Sequence, residues 1–167
     1  MLNAVAFVVF PGLMAYAAAS DLLTMTIPNR ITLALIAAFL AFAGLSGMSL
    51  ATFGAHLAAG AVVLVVAFAL FSFGWIGGGD AKLAAATALW LGFGSLIEYL
   101  SISAIGGGAL TLAILALRGL PLPSFAVGWA WLARLHDQKS GVPYGIALAG
   151  AALLVFPQSQ AWALLAG

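Results

Sequence analysis

Asp21 and Asp80 are the two side chains of this sequence whose type and placement could do chemistry together. Asp21 follows an apolar run from Leu2 to about Ser20, and Asp80 precedes one that starts at Ala81. If those runs are neighbouring helices, the two carboxyls meet at one depth. Two carboxyls that close cannot both ionise cheaply, so they share a proton. The ionised member can then activate water while the protonated one polarises a scissile carbonyl, as in aspartic proteases. Such a site requires no metal and no cofactor, and none is expected. Local roles compete with this one. Asp80 precedes a helical run and suits an N-cap, and Asp21 suits a solvated juxtamembrane turn. Both could also serve a small transporter or channel as proton or cation sites.

The residues around the pair add to the pattern. Gly77, Gly78 and Gly79 remove every Cβ before Asp80, which would let a substrate backbone approach the carboxylate closely. The same glycines lack the Gly-Lys-Ser/Thr ending of a phosphate-binding P-loop. Lys82 would add positive potential, or serve only as an orientation signal. Pro28 and Asn29 close the polar stretch after Asp21, and Pro28 suits the first turn of a new helix.

The elements that must position these groups are membrane helices. Of 167 residues 65% are apolar, nine carry a charge, and mean hydropathy is +1.22. Charges at 5%, against the ~25% of soluble domains, cannot clothe a water-soluble globule. The composition equally excludes a disordered chain, and a net charge of +1 leaves no footprint for nucleic acid. Zero Cys removes a disulfide framework, a zinc ribbon and a thiol nucleophile together.

The apolar runs predict an all-α polytopic membrane protein of about six transmembrane helices in a single domain over residues 1–167. The first, with Pro11-Gly12 as a kink, lacks the positive flank of a signal peptide. The second runs from Pro28 to about Leu45 and the third from about Gly54 to Trp75. The stretch Ala81–Leu117 holds two short spans, with a turn at Gly92, Gly94 and Ser95 and Glu98 just beyond. The last runs from Val142 to about Phe156. Arg30, Lys82, Arg118, Arg134 and Lys139 then share one side, which the positive-inside rule makes cytoplasmic, with both termini opposite. Residues 124–139 have the character of an interfacial helix, with Trp129 and Trp131 at headgroup level and Arg134 and Lys139 toward anionic lipid. An irregular loop is the plainer reading of that segment.

Asp21 followed by Thr26-Ile27-Pro28-Asn29 resembles the first motif of type IV prepilin peptidases, and Gly77-Gly78-Gly79-Asp80-Ala81-Lys82-Leu83 resembles their Gly-x-Gly-Asp signature. Val142-Pro143-Tyr144-Gly145 is similar to a further family feature. The resemblance implies a membrane aspartyl protease with Asp21 and Asp80 as its catalytic pair. Its substrates would be prepilins, cut before their apolar helix at the cytoplasmic face of the bacterial inner membrane. The larger members carry a Cys-bearing domain and also methylate the new N-terminus. A chain that starts at a span and has no Cys is expected to be peptidase alone, similar to the short forms of tight-adherence (Flp-type) pilus systems. Among the other ionisable groups, His56 is read as interfacial at the outer end of the third span, and His136 and Asp137 as solvated. Gly106, Gly107 and Gly108 would permit close helix packing.

Overall fold

The computed structural model describes residues 2–122 and 128–166, all helix and connection with no strand among them. Eight α-helices appear among the described residues. They are α1 (Leu2–Thr24), α2 (Asn29–Leu45), α3 (Leu50–Ser72), α4 (Gly78–Leu91), α5 (Leu96–Arg118), α6 (Ala130–His136), α7 (Gly145–Val155) and α8 (Gln160–Ala166). Short 3₁₀ turns at Phe93–Ser95 and Phe156–Gln158 join α4 to α5 and α7 to α8. Three helical stretches are long and apolar enough to cross a membrane: Phe7–Thr24, Leu50–Ser72 and Phe93–Arg118. Two shorter apolar stretches, Asn29–Leu45 and Gly145–Gln158, accompany them.

The organising element is α4. From Ala81 to Leu91 every residue except Lys82 is buried, so the helix is enclosed on all sides. Its 14 residues span about 21 Å, less than the ~30 Å hydrocarbon core of a bilayer. A helix wrapped by protein needs no lipid-facing stripe. Alanines at 84, 85, 86 and 88 keep it slim, so that α2, α3 and α7 pack directly on it. At Gly60 of α3 an added Cβ would stand 3.3 Å from Leu89 Cβ, which marks how closely the α3 and α4 backbones approach.

The outward faces of α3 and α5 are apolar: Val65, Phe68, Ile97 and Leu112 are each more than 60% exposed. Without a bilayer such faces would be an aggregation liability; a bilayer is the solvent that suits them.

One end of the bundle is closed by aromatic packing around Trp90. It lies flat against Phe42 (5.6 Å, 15°) and edge-on to Phe39 (5.7 Å, 71°), and its Nε1 donates to the Leu35 carbonyl at 2.9 Å. The expected turn at Gly92–Ser95 is present. Gly92 adopts a φ of 66°, where a side chain would be strained and would also press on the His56 ring. His56 is therefore not interfacial as expected: it is buried, and its Nδ1 shares a 2.8 Å hydrogen bond with the Leu89 carbonyl. The niche beside side-chain-free Gly92 admits the ring.

One further expectation is corrected: the first helix does not end at Ser20 but runs through Pro11 and carries Asp21 within it, ending one turn later at Thr24. In the 124–139 segment residues 124–127 lie outside the described residues, while α6 forms and Trp129 stacks on Trp131 at 6.1 Å. Arg134 is exposed, and its guanidinium donates to the Leu23 carbonyl at the end of α1. Of the three consecutive glycines on α5, Gly107 alone is buried.

Candidate active site

At the end of the bundle opposite Trp90, the C-terminus of α1 meets the N-termini of α2, α4 and α7. Asp21 sits on the last turn of α1 and is 6% exposed. Its Oδ2 accepts a 2.7 Å hydrogen bond from the Gly145 backbone N–H, the first amide of α7. Gly145 is required there, because a Cβ would come within 2.8 Å of both Asp21 Oδ2 and Ile27 Cδ1. The amides at a helix start have no intrahelical acceptor, and the helix dipole favours a negative charge beside them. Asp21 thus spends one oxygen on α7, across 124 residues of sequence.

Asp80 is half-buried and occupies the third position of α4, with Gly77 rather than Asp80 as the N-cap. Its carboxylate folds back over Gly77, where a Cβ would meet Oδ2 at 2.8 Å. This is the reach-back half of a capping box, with Asp in the place usually taken by Glu. Each aspartate therefore lies at a helix N-terminus. The two are close enough for the charge on Asp21 to act on Asp80.

Ile27 lies between the segments that carry them. It touches Gly145 on the Asp21 side, and an added Cβ on Gly79 would meet it at 3.2 Å on the Asp80 side. Gly78 makes the corresponding approach to the Phe71 ring at 3.2 Å. The space that the glycines leave at 78 and 79 is thus filled by Phe71 and Ile27, which seats α4 against α3 and the first-motif loop.

That loop is tied down by short-range bonds. Ser20 Oγ donates to the Thr26 carbonyl at 2.9 Å, Thr24 Oγ1 to the Ser20 carbonyl at 2.7 Å, and Met25 takes up a φ of 55°. A positive φ is unusual for a side chain of this size, and the hydroxyl bonds on both sides of Met25 hold it in place. Pro28 is the N-cap of α2, and the next residue, Asn29, accepts a 2.8 Å hydrogen bond from Lys82 Nζ. Lys82 thereby links the two motif segments directly. Double-mutant cycles on Lys82→Ala and Asn29→Ala are expected to give a coupling of about 0.5–1 kcal/mol in unfolding free energy, the net worth of one accessible hydrogen bond.

Two apolar grooves flank α4. One, of about 470 Å³ between α2 and α3, has Asn29 and Lys82 at its polar end. The other, of about 340 Å³, runs between α3 and α5 and reaches Asp80, with Ser103, Tyr144 and Leu148 beside it. Among the described residues no third His, Asp or Glu joins the two aspartates in a cluster placed to hold a metal ion. The Tyr144 hydroxyl donates to the Ser103 carbonyl at 3.2 Å.

All eight residues singled out in the sequence gather at this end: Asp21, Pro28, Asn29, Gly77, Gly78, Gly79, Asp80 and Lys82. Sequence reading missed Ile27 between the two segments and Gly145 as the partner of Asp21. The Val142–Gly145 resemblance was the one signal pointing toward Gly145.

Comparison with known proteins returns a family model described as "Type IV leader peptidase family", which matches residues 8–112 and so takes in both aspartates. No curated protein and no solved structure matches.

Proposed function

Because the chain belongs to the type IV leader peptidase family, whose members are proteases of the membrane, we propose that it is an aspartyl endopeptidase of Flp-like prepilins with Asp21 and Asp80 as its catalytic pair. The observation that carries this reading is that Ile27 packs against both Gly145, whose amide holds Asp21, and Gly79, which precedes Asp80, beside an apolar groove that ends at Asp80. The pair holds one proton. The ionised carboxylate takes a proton from water, and the resulting hydroxide adds to the scissile carbonyl carbon. The protonated carboxyl donates to the carbonyl oxygen. Collapse of the tetrahedral species breaks the C–N bond, and the departing amine takes up a proton. The apolar groove receives the hydrophobic part of the prepilin next to the cut.

In this reading α1, α2, α3, α4, α5 and α7 form six crossings within one membrane-embedded domain, α4 being sheltered by the others. The basic residues Arg30, Lys82, Arg118, Arg134 and Lys139 mark the cytoplasmic side of a bacterial inner membrane, where the dyad faces the prepilin leader. The termini lie on the other side. The product N-terminus stays unmethylated, and the reaction uses no cofactor.

The test is co-expression with a Flp-like prepilin. Leader removal should appear as a mobility shift, and mass spectrometry of the mature pilin should show a free, unmethylated N-terminus. Terminal tags on the peptidase should react only with reagents outside the cytoplasm. An uncut prepilin would overturn the substrate, and cytoplasmic tags would overturn the six-crossing topology.

A further inference from the structure

Tyr144 and Gly145 lie outside the residues that the family model matches, yet Gly145 meets Asp21 and Tyr144 lines the groove at Asp80. We propose that Tyr144 is a positioning residue for hydrolysis, holding the start of α7 so that the Gly145 amide stays on Asp21. The proposal rests on the assignment of Asp21 to the catalytic pair.

The Tyr144 ring sits where α5 offers a socket. Gly107 has no side chain, and a Cβ there would overlap the ring at Cζ, Cε2 and the hydroxyl. One helical turn earlier, the Ser103 carbonyl accepts a hydrogen bond from the Tyr144 hydroxyl at 3.2 Å. The ring in its socket is what fixes the first turn of α7 against α5, with the long hydroxyl bond a minor addition. The very next residue delivers its N–H to Asp21 Oδ2.

The contacts therefore form a chain from α5 through Tyr144 and Gly145 to α1. α7 packs against both α5 and α1, so its N-terminus is the bridge between them. Gly145 is tightly fitted on its Asp21 face, so the amide has little freedom provided that Tyr144 stays seated. Remove the ring, and the socket at Gly107 is empty, so that the first turn of α7 loses its anchor on α5. The amide is then expected to drift and Asp21 to lose the bond that orients it. A misplacement of about 1 Å in a catalytic group is enough to cost about a hundredfold in rate.

A second role is open to the same side chain, since Tyr144 lines the groove that contains Asp80. A hydroxyl that touched substrate would make the phenylalanine variant as slow as the alanine one. The two roles differ in what a phenylalanine does.

The experiment uses the full chain reconstituted in lipid vesicles with a prepilin substrate. Tyr144→Ala should lower kcat about a hundredfold with KM within about threefold of the parent, whereas Tyr144→Phe should keep kcat within about threefold. Gly107→Ala should match Tyr144→Ala, because it evicts the ring from the other side. The double variant should be no slower than Tyr144→Ala, there being no ring left to evict. Equal losses in the Phe and Ala variants, a rise in KM alone, or multiplying losses in the double variant would each overturn the proposal.

A readout independent of cleavage is hydrogen exchange at the Gly145 amide. It should be slow in the parent and in Tyr144→Phe, and fast in Tyr144→Ala and Gly107→Ala. If the parent cuts no prepilin but exchange follows this pattern, the positioning of Asp21 stands and the prepilin reading fails. If Tyr144→Ala leaves exchange slow, the positioning role fails whatever the activity.

Discussion

Asp21→Asn and Asp80→Asn are each expected to lower kcat for leader removal by at least about a thousandfold while leaving insertion and thermal unfolding close to the parent. The reason for the separation lies in what each carboxylate does in the resting fold. Asparagine has the size and shape of aspartate, and its Oδ1 still accepts the Gly145 N–H and still reaches back over Gly77. What it cannot do is take a proton from water or hand one to the carbonyl oxygen. The double variant should be about as slow as either single one, because members of a catalytic unit fail together rather than additively. Initial rates on a detergent-solubilised prepilin, set beside unfolding curves for each variant, would decide the matter. A single variant that cleaves at the parental rate would remove its aspartate from the pair.

Trp90→Ala is expected to have the largest effect on stability, about 3 kcal/mol, seen as a fall of about 10 °C in Tm. Trp90 is fully buried and is flanked by Phe10, Phe39, Phe42 and Phe156. In lipid no hydrophobic transfer drives helices together, so packing contacts supply the adhesion. Deleting the indole forfeits those contacts on four sides and takes away the Nε1 donor to the Leu35 carbonyl. Trp90→Phe should recover most of the loss, leaving about 1 kcal/mol for the missing hydrogen bond. Trp75, 75% exposed, is the control and should change little on replacement by alanine. Below the unfolding temperature, Trp90→Ala should retain parental kcat. It lies ten residues along α4 from Asp80, about 15 Å away. A loss of rate equal to that of the Asp variants would show that the two ends of α4 are coupled.

Much of the helical order was legible from punctuation. Gly92, Gly94 and Ser95 break an apolar stretch too long for one helix, and the structure turns there. Pro28 stands at the start of α2, as proline does where an amide has no acceptor to lose. The motifs themselves were legible as residues, and they do assemble. The glycines at 78 and 79 read as room for substrate, yet that room holds Phe71 and Ile27. His56 read as interfacial from its place near a span end, but a niche created by Gly92, 36 residues away, buries it.

What the sequence determined alone is the class of molecule, the breaks between its helices and the small set of residues able to do chemistry. Nine charges in 167 residues commit the chain to a bilayer, and the surroundings of Asp21 and Asp80 single them out from the other acids. Only the tertiary structure decided which helix faces meet. In a soluble helix an apolar stripe marks the buried side, but here lipid-facing and core-facing sides are equally apolar. The pattern therefore carries no record that α4 is enclosed, that Tyr144 sits on Gly107, or that the amide of Gly145 belongs to Asp21. Those pairings follow from shape, from where a missing Cβ lets another helix come close, and shape appears once the helices are packed.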